Sequence, residues 1–171
     1  MDFFSGARLK KIAYTLELLL LFILQHTPGL IPKFLGTSPL ILIIAAISIA
    51  VFEGESYGMW FGLFAGFLMD CSSSHVFGFY MMLCVTICYV CGMLVSTLMR
   101  SNLVTAMILG AGGLTVVGLF QWFFFYALWS DPKTGFYLYA IMLPQIVYTA
   151  LLMPIVFYFN RAVSYRLTPD E

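Results

Sequence analysis

The stretch PLILIIAAISIAVFEGESYGMWFGLFAGFLMD, residues 39–70, decides how this chain is read. Two apolar runs, 39–52 and 57–69, flank the tripeptide Glu53-Gly54-Glu55. Each run has about fifteen residues or fewer, so at ~1.5 Å per residue neither comfortably spans the ~30 Å hydrocarbon core of a bilayer. The pair reads either as two short helices in a hairpin, extended by their flanks, or as one long interrupted helix.

The flanking sequence decides between these. Outside the stretch lie four more apolar runs, at 12–26, 77–99, 103–129 and 136–159, separated by short loops rich in Gly, Pro, Ser, Asn and Asp. Lys and Arg in short loops favour the cytoplasmic side. With six spans and the N-terminus inside, the inner set is Arg8, Lys10, Lys11, Arg100, Arg161 and Arg166, against Lys33 and Lys133 outside. With five spans the eight cations divide evenly and the bias vanishes. The sequence therefore predicts an all-α integral membrane protein, one polytopic domain over 1–171. Its six spans fall near 12–27, 38–53, 56–70, 77–99, 103–129 and 136–160, with both termini cytoplasmic.

Composition agrees. Hydrophobic residues make up 62% of the chain and charged residues 9%, against roughly 25% charged in a soluble domain. The net charge is zero. There is too little polar surface to coat a soluble core, which excludes a soluble enzyme, a basic nucleic-acid binder and a disordered segment. The runs are helix-length, unlike the alternating ten-residue segments of a barrel. Arg8, Lys10 and Lys11 ahead of an apolar run imitate a signal peptide, but the run closes on Gln25-His26-Thr27-Pro28 and not on a small-x-small cleavage site, so it is expected to stay as an anchor. Phe3 and Phe4 suit an amphipathic segment at the cytoplasmic interface.

The most specific local pattern is a ladder of glycines. Gly54, Gly58, Gly62 and Gly66 recur every four residues, and Asp70 takes the next place. On a helix these form one slowly drifting stripe, and small residues there let another backbone come close in lipid. The stripe is either a docking ridge for another helix, from this chain or from a partner, or internal packing of the third span against the first or sixth. Asp70 sits at its outer end.

Other polar residues are sparse. Glu17 lies within the first span, where a charge costs about 2.5–3.5 kcal/mol on an insertion scale, so it should face protein or water. It reads as a proton-coupling or substrate group, or as a partner of Arg8, Lys10 or Lys11. Gln121 and Gln145 lie inside the fifth and sixth spans and can hydrogen-bond across helices. Pro144 and Pro154 should bend the last span. Cys84, Cys88 and Cys91 fall on one face of the fourth span and read as small buried hydrophobes, since zinc would need a second pair. Asp70-Cys71-Ser72-Ser73-Ser74-His75 lacks the ligands of a metal site and the motif of a serine hydrolase, and reads as helix-end chemistry. No catalytic, metal or cofactor site is assigned.

Residues 58–92, GMWFGLFAGFLMDCSSSHVFGFYMMLCVTICYVCG, resemble the core of the MreD family of rod shape-determining proteins. The family pattern is a glycine-rich short helix ending in Gly-x-x-x-Asp, here Gly66 to Asp70. A small polar turn follows, then a hydrophobic-Gly pair, here Phe77-Gly78, then a long apolar helix. Gln25-x-x-Pro28 at the end of the first span fits, as does TALLMPIVFYFNRAV at 149–163, with Pro154 inside the last span and Asn160-Arg161 just past it.

The resemblance implies a non-catalytic scaffold of the bacterial elongation machinery, in the plasma membrane. Its expected partners are membrane lipid, a single-span MreC-like protein, a RodA-type glycosyltransferase, a penicillin-binding transpeptidase and the MreB filament, with no nucleic acid. It also implies a fold similar to the substrate-binding subunit of energy-coupling-factor vitamin transporters. That suggests the alternative of a vitamin-binding subunit, with a pocket among the aromatics from Trp122 to Trp129. A lipid-linked-substrate enzyme would need converging acids, for which Glu53 and Glu55 are the candidates.

Overall fold

A computed structural model describes residues 3–27, 39–73, 77–97, 102–127 and 142–167. Every described element is helical. α1 runs Phe3–His26, α2 Ile41–Ser72, α3 Phe79–Thr97, α4 Leu103–Trp122 and α5 Leu143–Leu167, and a π-helical turn, Phe123–Ala127, prolongs α4. Among the described residues, four helices are long and apolar enough to cross a membrane: Ile41–Ser72, Phe79–Thr97, Leu103–Phe125 and Leu143–Arg166. α1 carries Arg8, Lys10, Lys11 and Glu17 and is less apolar.

The decisive element is α2. Its helical dihedrals break at Gly54, with φ 80° and ψ −172°. That region is essentially reserved for glycine, because any Cβ collides there with the backbone. The chain folds back at this point. In one continuous helix residues 50 and 58 would stand about 12 Å apart along the axis. Here a Cβ added to Gly58 would lie 2.6 Å from the Ala50 Cβ. Contacts with α1 agree: Gln25 meets both Leu42 and Met69, whereas Lys10 and Tyr14 meet Glu53. The two ends of α2 thus lie level with the end of α1, and the turn at Gly54 lies beside its first half, near Lys10 and Tyr14. The arms, 41–53 and 55–72, are about 20 Å and 27 Å long.

The first arm is the centre of the molecule. Residues 41–51 are buried without exception, Ser48 included. A helix apolar on all sides suits lipid or a protein core, and here neighbours surround it. Gln25 of α1 accepts the Leu42 N–H at 3.1 Å, and Thr149 of α5 accepts the Leu40 N–H at 3.1 Å through its hydroxyl. Ile47 packs toward Gly113 of α4, and Phe52 stacks near Phe157 of α5 with ring centroids 5.0 Å apart. The outer helices show apolar faces outward: Ile12, Leu16, Leu20 and Ile23 on α1, and Leu151, Ile155 and Tyr158 on α5.

Some boundaries differ from the sequence reading. α1 is one helix from Phe3, so the segment around Phe3 and Phe4 is continuous with the span and not a separate surface helix. α5 runs on to Leu167, and Asn160 lies inside it, fully buried. Pro144 falls in the first turn of α5, where its missing N–H costs nothing, and Pro154 lies within the helix. Pro28, Lys33, Arg100, Trp129, Lys133 and residues 136–141 lie outside the described residues, as do Ser74 and His75.

Candidate functional site

The glycine stripe faces α3. The second arm of α2 and α3 run antiparallel, and four close approaches follow one another along the seam. At Gly92, an added Cβ would meet Glu55 Cα at 2.7 Å. At Gly58, beside Ala50, it would meet the Cys88 carbonyl at 3.3 Å. At Gly62 it would meet the Cys84 carbonyl and the Cys88 Cβ, both at 2.8 Å. At Gly66 it would meet Met81 Cα at 2.5 Å and the Tyr80 carbonyl at 2.7 Å. The neighbour is therefore the next helix in the chain and not the first or the last, the two expected from sequence. Gly54 differs from the other four: nothing lies within 4 Å of its Cβ position, and its role is the reversal itself.

Cys84, Cys88 and Cys91 are buried free thiols of α3, and Cys88 sits directly against Gly62. They fill the seam as small hydrophobes. Cys71, past the Asp70 end of the seam, is exposed.

Asp70 closes the seam. Its carboxylate is 3% exposed and accepts three backbone N–H groups, Gly78 and Met81 at Oδ2 and Tyr80 at Oδ1, all at 3.0 Å. These donors open α3. The first turn of a helix has no internal acceptors for its N–H groups, and the residue before the helix normally supplies one through its side chain. Here that residue is Gly78, at φ 96°, which has no side chain to give. Asp70 does the capping from the end of the preceding helix, and its charge also suits the positive end of the α3 dipole. The four-residue spacing that places Asp70 on the stripe thus also places it under the α3 terminus.

Gln25 plays a matching part at the first arm. Its side-chain oxygen takes the Leu42 N–H while its nitrogen reaches Met69 Sδ at 3.4 Å. From the sequence, Gln25 stands out only as part of the Gln25-x-x-Pro28 pattern. The missed signal was the same as at Gly78: Leu40 precedes a buried helix and cannot cap it.

A second polar group lies at the other end of the bundle. Lys10 pairs with Glu53 Oε1 at 2.6 Å, and the Tyr14 hydroxyl donates to the same oxygen at 3.0 Å. Tyr14 also meets Ser164 of α5. Lys11 lies 4.6 Å over the Tyr57 ring, a cation–π contact. Glu53 is thus held by α1, while Glu55 is exposed at the tip of the fold-back, so the two acids do not converge.

Glu17 is 7% exposed and does not pair with Lys10 or Lys11, because those side chains go to Glu53 and Tyr57. Its partner is Asn160. With the amide nitrogen turned toward α1, Asn160 donates to both Glu17 oxygens, at 2.6 and 3.1 Å, and its carbonyl accepts from Ser48 Oγ at 3.2 Å. This joins α1, the first arm and α5 through three buried side chains.

Gln121 is half-buried two residues before the π-helical segment. Gln145 is half-buried in α5, and its carbonyl accepts the Thr149 hydroxyl at 2.6 Å. A depression of about 320 Å³ is lined by Leu119, Phe120, Trp122 and Phe123 of α4. All four belong to α4 and the π-helical turn that prolongs it, and three, Leu119, Phe120 and Phe123, are about half exposed, so this is a feature of the apolar surface.

A family model described as the rod shape-determining protein MreD matches residues 9–163 of the chain. The chain belongs to the MreD family. The match takes in the whole glycine seam, Asp70, Gln25, Glu17 and Asn160. No curated protein and no solved structure matches the chain. Membership makes this MreD chain an integral membrane protein of the system that determines rod shape, in keeping with its apolar helices.

Proposed function

We propose that this MreD chain is a non-catalytic scaffold of the elongation complex, supporting side-wall peptidoglycan synthesis by packing with wall-building partners in the membrane. It crosses the bilayer six times, each arm of α2 counting as one pass, with both termini cytoplasmic. Its partners are a single-span MreC-like protein, a RodA-type glycosyltransferase, a penicillin-binding transpeptidase and the MreB filament.

The family match over 9–163 carries this reading. The geometry supports it in one respect. The glycines and Asp70 build a stiff pair, the second arm with α3, whose outward side presents Tyr57, Trp60, Leu63 and Phe67 along one face. A scaffold needs such a rigid element, and a single-span partner or lipid can lie against that face. The fold-back at Gly54 supports six passes, since it sets residues 42 and 69 at one level and residue 53 at the other.

The test is recovery of the tagged protein from its native membrane in mild detergent, with co-purifying proteins identified by mass spectrometry. A single-span MreC-like protein together with wall synthases is the expected outcome. Recovery of a transmembrane coupling protein with paired ATPases would overturn the reading in favour of a transporter subunit.

A further inference from the structure

The group formed by Glu17, Asn160 and Ser48 has a property that helix packing does not require. A carboxyl, an amide and a hydroxyl in a row can be fully hydrogen-bonded in two ways with the same heavy-atom positions. In the first, Glu17 is a carboxylate, the Asn160 nitrogen donates to it, and the Asn160 carbonyl accepts from Ser48. In the second, the amide is turned by half a rotation. Its oxygen then stands 2.6 Å from Glu17 Oε2 and its nitrogen 3.2 Å from Ser48 Oγ. That arrangement suits a protonated Glu17, whose O–H donates to the Asn160 carbonyl while the Asn160 nitrogen donates to Ser48. A separation of 2.6 Å lies within the O–H···O range of about 2.5–3.0 Å.

We propose that Glu17, Asn160 and Ser48 form a proton-binding site inside the bundle, in which the proton on Glu17 sets the orientation of the Asn160 amide. The proton comes from water. An O–H bond of solvent hydronium breaks and leaves water as one O–H bond forms on Glu17, the amide turns about its Cβ–Cγ bond, and the Ser48 hydroxyl reorients, with no other bond made or broken. The site spans three helices, so the change is felt at the junction of α1, the first arm of α2 and α5.

The surroundings fit this use. The group is buried, with Ser48 and Asn160 fully covered and Glu17 7% exposed. Its neighbours on α1 are Tyr14 and, beyond it, Lys10. On α2 they are Ser48 and Glu53, and on α5 Asn160 and Ser164. Lys10, the nearest cation among these, is already paired with Glu53, so Glu17 is balanced by hydrogen bonds and not by an ion pair. In lipid, such a residue either carries a proton or draws on polar partners, and here the partners accommodate both states.

The experiment is difference infrared spectroscopy of the full chain in lipid nanodiscs as pH is changed, with side-chain-carbonyl-labelled asparagine. The chain has two asparagines, and Asn102 is exposed and makes no capping side-chain bond, so Asn102→Ser leaves the label on Asn160 alone. The expected result is a protonated-carboxyl band that appears on acidification and a shift of the Asn160 band with the same midpoint. Both should be lost in Glu17→Gln. Ser48→Ala serves as a second variant, in which Glu17 still titrates but the Asn160 shift shrinks. An Asn160 band that stays fixed while Glu17 titrates would overturn the proposal. So would a Glu17 carboxyl that never changes state while the fold is intact.

Discussion

Replacing Asp70 with alanine is expected to cost about 3–5 kcal/mol of stability, a large share of the roughly 5–15 kcal/mol a folded domain has. The reason is the number of donors left behind. Gly78, Tyr80 and Met81 each point an N–H at the Asp70 carboxylate, and Gly78 offers no side chain in its place. A buried donor deprived of its acceptor costs about 1–3 kcal/mol, and a local relaxation can expose some of the three to water, which sets the estimate below the full sum. Asp70→Asn should fall between wild type and Asp70→Ala, since one oxygen remains while the amide nitrogen now opposes N–H donors. Thermal unfolding of the purified protein in detergent, followed by a thiol-reactive dye on the buried cysteines of α3, reads this directly. Equal midpoints for wild type and Asp70→Ala would show that the cap does not hold α3.

The second large effect is expected at Gly66, and it comes with an internal control. A methyl added there would stand 2.5 Å from Met81 Cα and 2.7 Å from the Tyr80 carbonyl. Both are backbone atoms, so no rotamer change can make room and the two helices must part. Gly66→Ala should therefore cost about 2–3 kcal/mol, at the upper end of ordinary overpacking. The damage should also spread to the Asp70 cap, two of whose three donors are Tyr80 and Met81. Gly112→Ala is the control. Nothing lies within 4 Å of its Cβ position, and alanine favours a helix over glycine by up to about 1 kcal/mol. Unfolding midpoints should thus move in opposite directions for the two glycines. If Gly66→Ala matched Gly112→Ala, the close-packed seam would be wrong.

The features that could be read from the sequence were those that depend on spacing along one helix. Four-residue recurrence assigned Gly58, Gly62, Gly66 and Asp70 to one stripe, and the stripe is a seam. Periodicity names a face but not the neighbour across it, so the sequence pointed to the first or last span where the structure has α3. The neighbour was nonetheless the cheapest topology: α3 follows α2 after a short turn, and antiparallel packing of consecutive helices needs no long loop. The burial of the first arm had no decisive sign: residues 41–51 contain one polar side chain, Ser48, and a helix apolar on every side suits lipid as well as a protein centre.

The pairing of Glu17 with Asn160 had no such sign. The two lie far apart in the chain, and the nearby basic residues Lys10 and Lys11 offered a local answer that tertiary structure overrode by sending them to Glu53 and Tyr57. Sequence rules also gave Gly54 the wrong emphasis. It was counted as the first rung of the ladder, whereas its positive φ shows that it is the point of reversal that makes the ladder possible.

That reversal is the centre of the account, and thiol labelling from one side of the membrane tests it. Cys71 is the native exposed thiol at one end of the second arm, and Cys84, Cys88 and Cys91 are buried. A second protein carries Glu55→Cys at the tip of the fold-back, with Cys71→Ser. Spheroplasts are treated with a membrane-impermeant maleimide, before and after permeabilisation. Cys71 is expected to be modified from outside, and the thiol at position 55 to react only once the cytoplasmic side is opened. A position-55 thiol shielded from both sides, as the middle of a single long span would be, or modified from outside, would contradict it.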